Sequence, residues 1–146
     1  MKQIYLKSKR AFRFLFYRHL SINEQLVISE ILKSSELITQ YWLLNKADRH
    51  HSIEVMSRSN KLTNDSEVLS LSLLHDIGKN TSHYSWLFRI LAEMKIITNS
   101  KAQNYLHHED IGLTVLRNLK NAEEIVRYYE NELLKQRHDI LDKTDY

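Results

Sequence analysis

The residues Leu71-Ser72-Leu73-Leu74-His75-Asp76-Ile77-Gly78-Lys79 decide how the rest of this chain is read. An apolar run delivers a histidine and an aspartate side by side, and a glycine follows two residues later. Val68, Leu71 and His75 fall at i, i+3 and i+7, and Leu69, Leu73 and Asp76 share the adjoining face. The run therefore reads as a buried helix that carries His75 and Asp76 in its last turn. Gly78 is expected to take the left-handed conformation that stops a helix. An adjacent imidazole and carboxylate form a ligand pair suited to a catalytic divalent metal.

The rest of the composition favours helices as well. The chain has 146 residues, most simply one domain, and 42% of them are hydrophobic, enough for one core. Charged residues at 27% argue against a disordered or membrane-embedded chain. Sheets need many turns, yet the chain has no proline and only two glycines, Gly78 and Gly112. There is no cysteine, which excludes disulfides and thiolate metal sites and fits a reducing, cytoplasmic compartment. Any metal must be held by histidine, carboxylate or water. The net charge of +3 says little about nucleic acid. No apolar run is long enough for an integral membrane segment. Lys2, Lys7, Lys9, Arg10, Arg13 and Arg18 interleave with Phe12, Phe14, Phe16 and Tyr17. Such a helix can meet a membrane surface or nucleic acid, but packing its aromatics on the domain is the simpler expectation. No small-residue cleavage site follows, so no signal peptide is expected.

Working outward, a first helix is expected over residues 8–18. Ser21-Ile22-Asn23-Glu24 is a capping-box pattern, placing a helix from Ile22 to about Lys33. Ser34 or Ser35 can cap the next, with Leu37, Tyr41 and Leu44 on one face. Asp48 is expected to cap a helix carrying His50, His51, Val55 and Ser59. Asn60 to Ser66 reads as a loop, and Ser66 with Glu67 starts the helix of the opening motif. A long helix is expected from Thr81 or Ser82 through Trp86, Ile90 and Met94. Another runs from His108 to Leu119, a further one from Asn121 to about Lys135, and a short one from Asp139 to Tyr146.

The chemistry must come from the eight histidines and their neighbouring carboxylates. His50 and His51 lie one helix upstream of His75. Consecutive helices joined by a short loop pack antiparallel, so His51 near the start of one can face His75 near the end of the next. His108 opens a later helix, and Asp142 and Asp145 offer late carboxylates. His50, His83, His107 and His138 read as solvent-facing, and Tyr128 and Tyr129 as core or rim aromatics. His108 can equally be a capping or polar surface residue. Lys79 can neutralise a substrate phosphate, or it can favour the helix C-terminus.

In this order the residues resemble the HD-domain superfamily of metal-dependent phosphohydrolases. That family's signature is a histidine, a His-Asp pair and a distant aspartate on a helical bundle. The segment HSIEV looks like its first-histidine segment, which favours His51 over His50. LLHDIGK matches the central motif down to Ile77, Gly78 and Lys79. LDKTD looks like its LxxAD segment, favouring Asp145 with Asp142 as the fallback. HEDIG looks like the HPEIG segment of two-metal members, which makes His108 an additional candidate ligand. The resemblance runs from about Asp48 to Tyr146, and more loosely the chain resembles stand-alone bacterial HDIG proteins.

The resemblance implies an all-α, compact bundle of about eight or nine helices. Residues 1–45 would form an N-terminal helical region and residues 46–146 the metal-binding core. It implies His51, His75, Asp76 and Asp145 as ligands of a divalent ion: Mn, Mg, Fe, Co, Ni or Zn. Many two-metal members carry histidines after an Ile-Val-Arg-like stretch, where this chain has Tyr128 and Tyr129. A phenol with a pKa of about 10 is a poor ligand, so a full binuclear site is not expected, and four ligands for a single ion remain. The sequence stops one residue after Asp145, where many members continue, and a minimal or truncated domain is expected. The implied reaction is hydrolysis of a phosphomonoester or phosphodiester, often of a nucleotide. Asp76 would hold the metal and orient or deprotonate a water, while Lys79 or His108 stabilises phosphate charge. The alternative is a degenerate module that binds a nucleotide or a partner protein without turnover.

Overall fold

The computed structural model describes residues 19–81 and 84–146, and every regular element among them is helical. The helix expected over residues 8–18, with its basic and aromatic side chains, lies outside the described residues. Nine α-helices are present among the described residues, matching the all-α bundle expected. None is long and apolar enough to cross a membrane.

Helix α1 (Ile22–Leu32) begins at the expected capping box. The Glu24 N–H donates to Ser21 Oγ at 3.3 Å, and the Ser21 N–H donates to the Glu24 carboxylate at 2.7 Å. Lys33 then adopts a φ of 55°, and Ser34 caps α2 (Ser35–Leu43). Leu37, Tyr41 and Leu44 are buried together as expected.

Helix α3 (Lys46–Ser59) corrects one expectation: its cap is Asn45, whose Oδ1 accepts from the Asp48 N–H at 3.0 Å. Asp48 lies inside the first turn instead. Its buried carboxylate forms a two-pronged ion pair with Arg89, at 2.6 and 2.7 Å. A carboxylate in a first turn is favoured by the helix dipole wherever the cap lies, so sequence alone does not separate the two positions.

Helix α4 (Ser66–Leu74) is capped by Asp65 rather than Ser66, with Asp65 Oδ1 accepting from the Glu67 N–H at 2.9 Å. Val68, Leu69, Leu71, Ser72, Leu73 and Leu74 are all buried, so the helix lies at the centre of the bundle. His51, on the second turn of α3, faces His75, while Ser59 at its end meets Ser72. The two helices therefore run in opposed directions.

Gly78 does not end α4. The α-helix stops before His75, a short 3-10 helix (Ile77–Thr81) follows, and no glycine has positive φ. Gly78 is required for contact instead. A Cβ there would overlap the His108 carbonyl oxygen and lie 2.6 Å from the Gly112 nitrogen. A Cβ on Gly112 would overlap the Tyr129 hydroxyl. The two glycines thus let the 3-10 helix press directly on α7 (His108–Arg117).

Three later boundaries also differ from expectation. Helix α5 (Trp86–Glu93) starts after Ser85, whose Oγ accepts from the Phe88 N–H at 3.3 Å; of the two starts expected, Thr81 ends the 3-10 helix, and Ser82, like His83, lies outside the described residues. It stops at Met94 because Lys95 takes a φ of 56°. Helix α6 (Ser100–Leu106), capped by Asn99, was not anticipated. Helix α8 (Glu123–Tyr129) continues as a π-helical stretch (Glu130–Lys135), reaching Lys135 as expected, but without a capping box because Asn121 has a φ of 52°. Helix α9 (Asp139–Thr144) is capped by His138, whose Nδ1 accepts from the Ile140 N–H at 3.2 Å. His138 is therefore a half-buried structural residue rather than a solvent-facing one.

One apolar cluster runs from Leu20 through Ile28, Tyr41, Leu71, Leu74 and Leu116 to Leu141. The N-terminal helices α1 and α2 share that core with the rest of the described chain. Tyr84, Ala92, Ala102 and Tyr105 form a smaller cluster around α5 and α6.

Replacing Gly78 by alanine is expected to destabilise the protein by about 1–3 kcal/mol, the usual cost of overpacking. Chemical denaturation measures it. A stabilised Gly78→Ala protein, as helix propensity alone would give, would contradict the close contact.

Candidate metal centre

His75 follows the last residue of α4 with its side chain buried, and Asp76 beside it is 2% exposed. The His75 Nδ1–H donates to the Ser72 carbonyl at 2.9 Å. That bond fixes the tautomer and leaves a lone pair on Nε2, which is buried and has no hydrogen-bond partner. Nε2 lies 3.6 Å from Asp76 Oδ1 and 3.8 Å from Asp145 Oδ1.

The separations fit a shared cation. Two ligand atoms each about 2.1 Å from one ion lie about 3.0–4.2 Å apart, depending on the angle between them. A lone pair facing two carboxylate oxygens inside that range is what a divalent ion would join. Ligand atoms of His51, His75 and Asp76 all lie within 4.8 Å of one another. The His51 and His75 rings are 5.5 Å apart, nearly edge to face.

Asp145 approaches the two histidines from the far end of the sequence, outside that group of three. Its Oδ1 accepts from His51 Nε2–H at 2.8 Å, across 94 residues of chain. The fallback, Asp142, is exposed. Arg137 pairs with Asp145 Oδ2 and, at 2.9 Å, with Glu109. Arg58 holds the end of α9 by donating to the carbonyls of Thr144 and Tyr146, at 2.6 and 3.0 Å.

Lys79 and His108 gather on Asp76. Lys79 Nζ is 2.7 Å from Asp76 Oδ2, one 3-10 turn away. His108 Nδ1–H donates to the Tyr105 carbonyl at 2.8 Å, and its Nε2 is 3.1 Å from Asp76 Oδ1. The first turn of α7 therefore carries a functional candidate rather than a cap. His50 is half-buried, and His107 is exposed. Tyr129 is fully buried, and its hydroxyl donates to the His75 carbonyl at 3.0 Å. It braces the backbone of the motif, while Tyr128 is half-buried.

These contacts set the ionisation of the centre. Burial lowers the His75 pKa, and the imidazole is neutral. Burial acts to raise the Asp76 carboxyl, but Lys79, with His108, outweighs it and holds that carboxyl well below the ordinary range. Burial likewise opposes the charge on Lys79, which Asp76 and then Asp48 hold on, raising its pKa. Asp145 is also held low: burial acts against it, and the hydrogen bond from His51 prevails.

Arg58, Arg137 and the bracing hydroxyl of Tyr129 were not anticipated from sequence. Arg58 and Tyr129 act across long stretches of chain, Arg137 reaches Glu109 and Asp145 over 28 and 8 residues, and none sits in a local pattern that signals its partner.

In the metal-free protein all three shifted acids make the unfolded chain bind more protons as pH falls. His75 contributes stability that is full above about pH 6.5 and declines below it. Asp76 and Asp145 contribute stability that is present above about pH 4 and is lost as pH falls through their depressed values. Denaturation midpoints should therefore drop from pH 7 to pH 5 and fall further below pH 4, with Asp145→Asn flattening the acid limb. A midpoint unchanged down to pH 3 would contradict this ionisation pattern.

No protein-family model matches the chain, and no curated protein or solved structure matches it significantly.

Proposed function

We propose that this protein is a metal-dependent phosphohydrolase that cleaves a phosphomonoester or phosphodiester of a nucleotide. The observation that carries the reading is the buried, unpartnered His75 Nε2 facing the oxygens of Asp76 and Asp145. His51, His75, Asp76 and Asp145 would hold one divalent ion of the Mn, Mg, Fe, Co, Ni or Zn class. The resemblance of these segments to the HD-domain superfamily supports the same reaction class. A bound ion would supply Lewis acidity at the phosphorus and a water of lowered pKa.

The chain's own residues complete the chemistry. Asp76 Oδ1, which Lys79 and His108 keep ionised, can accept a hydrogen bond from an attacking water and orient it. Lys79 lies beside that oxygen pair and can neutralise charge building on the phosphoryl group. His108, with Nδ1–H tied to the Tyr105 carbonyl, presents Nε2 to the same region. Arg137 is partly exposed and already bound to an oxygen of Asp145, which places a second cation at the rim.

Binding without turnover is the second reading, and one observation favours it. Both carboxylates are already neutralised within the chain, Asp76 by Lys79 and Asp145 by Arg137. Such a centre is balanced in charge without a metal.

Phosphate release from a nucleotide panel with Mn²⁺, Mg²⁺, Co²⁺ and Ni²⁺ separates the two. Metal-dependent release that His75→Ala reduces to background supports the hydrolase, with Lys79→Met lowering kcat by about 10²–10³-fold. Metal uptake without release on the whole panel supports binding alone. His51 donates its Nε2 proton to Asp145, so ligation through Nε2 would need the other tautomer, with the proton on Nδ1. Metal affinity should rise with pH and fall with acid, read by titration calorimetry in two buffers of different ionisation heat. Affinity unchanged from pH 7 down to pH 5 would contradict histidine ligation.

A further inference from the structure

Ser72, Ser59 and Thr144 are all buried, with exposures of 0%, 0% and 3%. We infer that these three are positioning residues, a row of hydroxyls that sets the spacing of the helices carrying His75, His51 and Asp145. The inference rests on reading the centre as a metal site. Ser72 Oγ–H donates to Ser59 Oγ at 3.0 Å, Ser59 Oγ lies 3.0 Å from Thr144 Oγ1, and Thr144 Oγ1–H donates to the Ile140 carbonyl at 2.8 Å. One direction of donation satisfies the row: each hydroxyl gives one proton, Ser59 and Thr144 each accept one, and the row ends on that carbonyl, with Ser72 Oγ also 2.9 Å from the Val68 carbonyl.

Each member sits on or beside an element that carries a ligand of the centre. The Ser72 carbonyl accepts the Nδ1–H of His75. Ser59 ends the helix that carries His51 two turns earlier, and Thr144 directly precedes Asp145. The apolar contacts around them attract without direction and tolerate small slides. Hydrogen bonds between buried hydroxyls do not, because a slide leaves an unpaired polar group away from water. A metal centre needs its ligands held to about 0.5 Å, and the row is the directional contact shared by all three helices.

Thr144 allows a clean test with the full chain. Thr144→Val keeps the shape and deletes the hydroxyl, whereas Thr144→Ser keeps the hydroxyl and deletes the methyl group. Mn²⁺ alone is titrated and free ion is read by electron paramagnetic resonance, with thermal midpoints measured alongside. Thr144→Val should weaken Mn²⁺ binding about 10–100-fold, the usual effect of losing a group that orients a ligand. Thr144→Ser should bind within about threefold of the native protein, which a packing role would not produce. If Thr144→Val does not fold, Ser59→Ala deletes a hydroxyl of the row from another helix and should weaken binding similarly. Native affinity in the hydroxyl-deleted protein, or a greater loss in Thr144→Ser than in Thr144→Val, would overturn the inference while leaving the metal centre standing. Native protein that takes up no Mn²⁺ would instead overturn the metal reading itself, and the inference with it.

Discussion

A carboxylate at the centre of a small helical bundle must be compensated, and Asp76 is 2% exposed. Much of the structure follows from that demand. Lys79 must come back over Asp76 one turn later, so the chain leaves the α-helix for a tighter 3-10 turn. His108 must reach the same carboxylate from α7, so α7 has to lie against that turn. Side chains at the contact would hold the two elements apart. Glycines at 78 and 112 remove them, and the Tyr129 hydroxyl fills the remaining corner by binding the His75 carbonyl. One buried charge thus accounts for both glycines of the chain and for a buried tyrosine.

The other half of the centre is assembled from the end of the sequence. Asp145 is held by His51 from α3 and by Arg137 from the segment before α9, and Arg137 is itself anchored on Glu109. Arg58 and the row of hydroxyls hold the same helix end from beneath. Ligand-bearing elements far apart in sequence therefore meet through directional polar contacts, while the apolar core provides the bulk of the stability. The two carboxylates are matched by two fixed cations.

Much of the fold was legible because it rests on local signals. The scarcity of glycine and proline pointed to helices, and Ser21 with Glu24 marked a helix start correctly. The candidate ligands were legible for a different reason: histidines and aspartates are conspicuous, and their order along the chain is distinctive. What could not be read were roles set by distant partners. Gly78 looked like a helix stop, yet its purpose is contact with α7, 30 or more residues on in sequence. Asp48 looked like a cap, yet Asn45 caps and Asp48 neutralises Arg89. Helix α6 buries only Ala102 and Tyr105, too weak an apolar pattern to stand out. Ser59, Ser72 and Thr144 are ordinary residues until folding brings them together.

The account stands on His51, His75, Asp76 and Asp145 sharing one cation. Pulsed electron paramagnetic resonance of the full chain loaded with Mn²⁺ tests that most directly, because a nitrogen bound to Mn²⁺ couples to its electron spins. The account predicts one ion per chain with couplings from two histidine nitrogens, one of them lost in His51→Gln and the other in His75→Gln. Mn²⁺ bound through oxygens alone, or couplings untouched by either substitution, would contradict it.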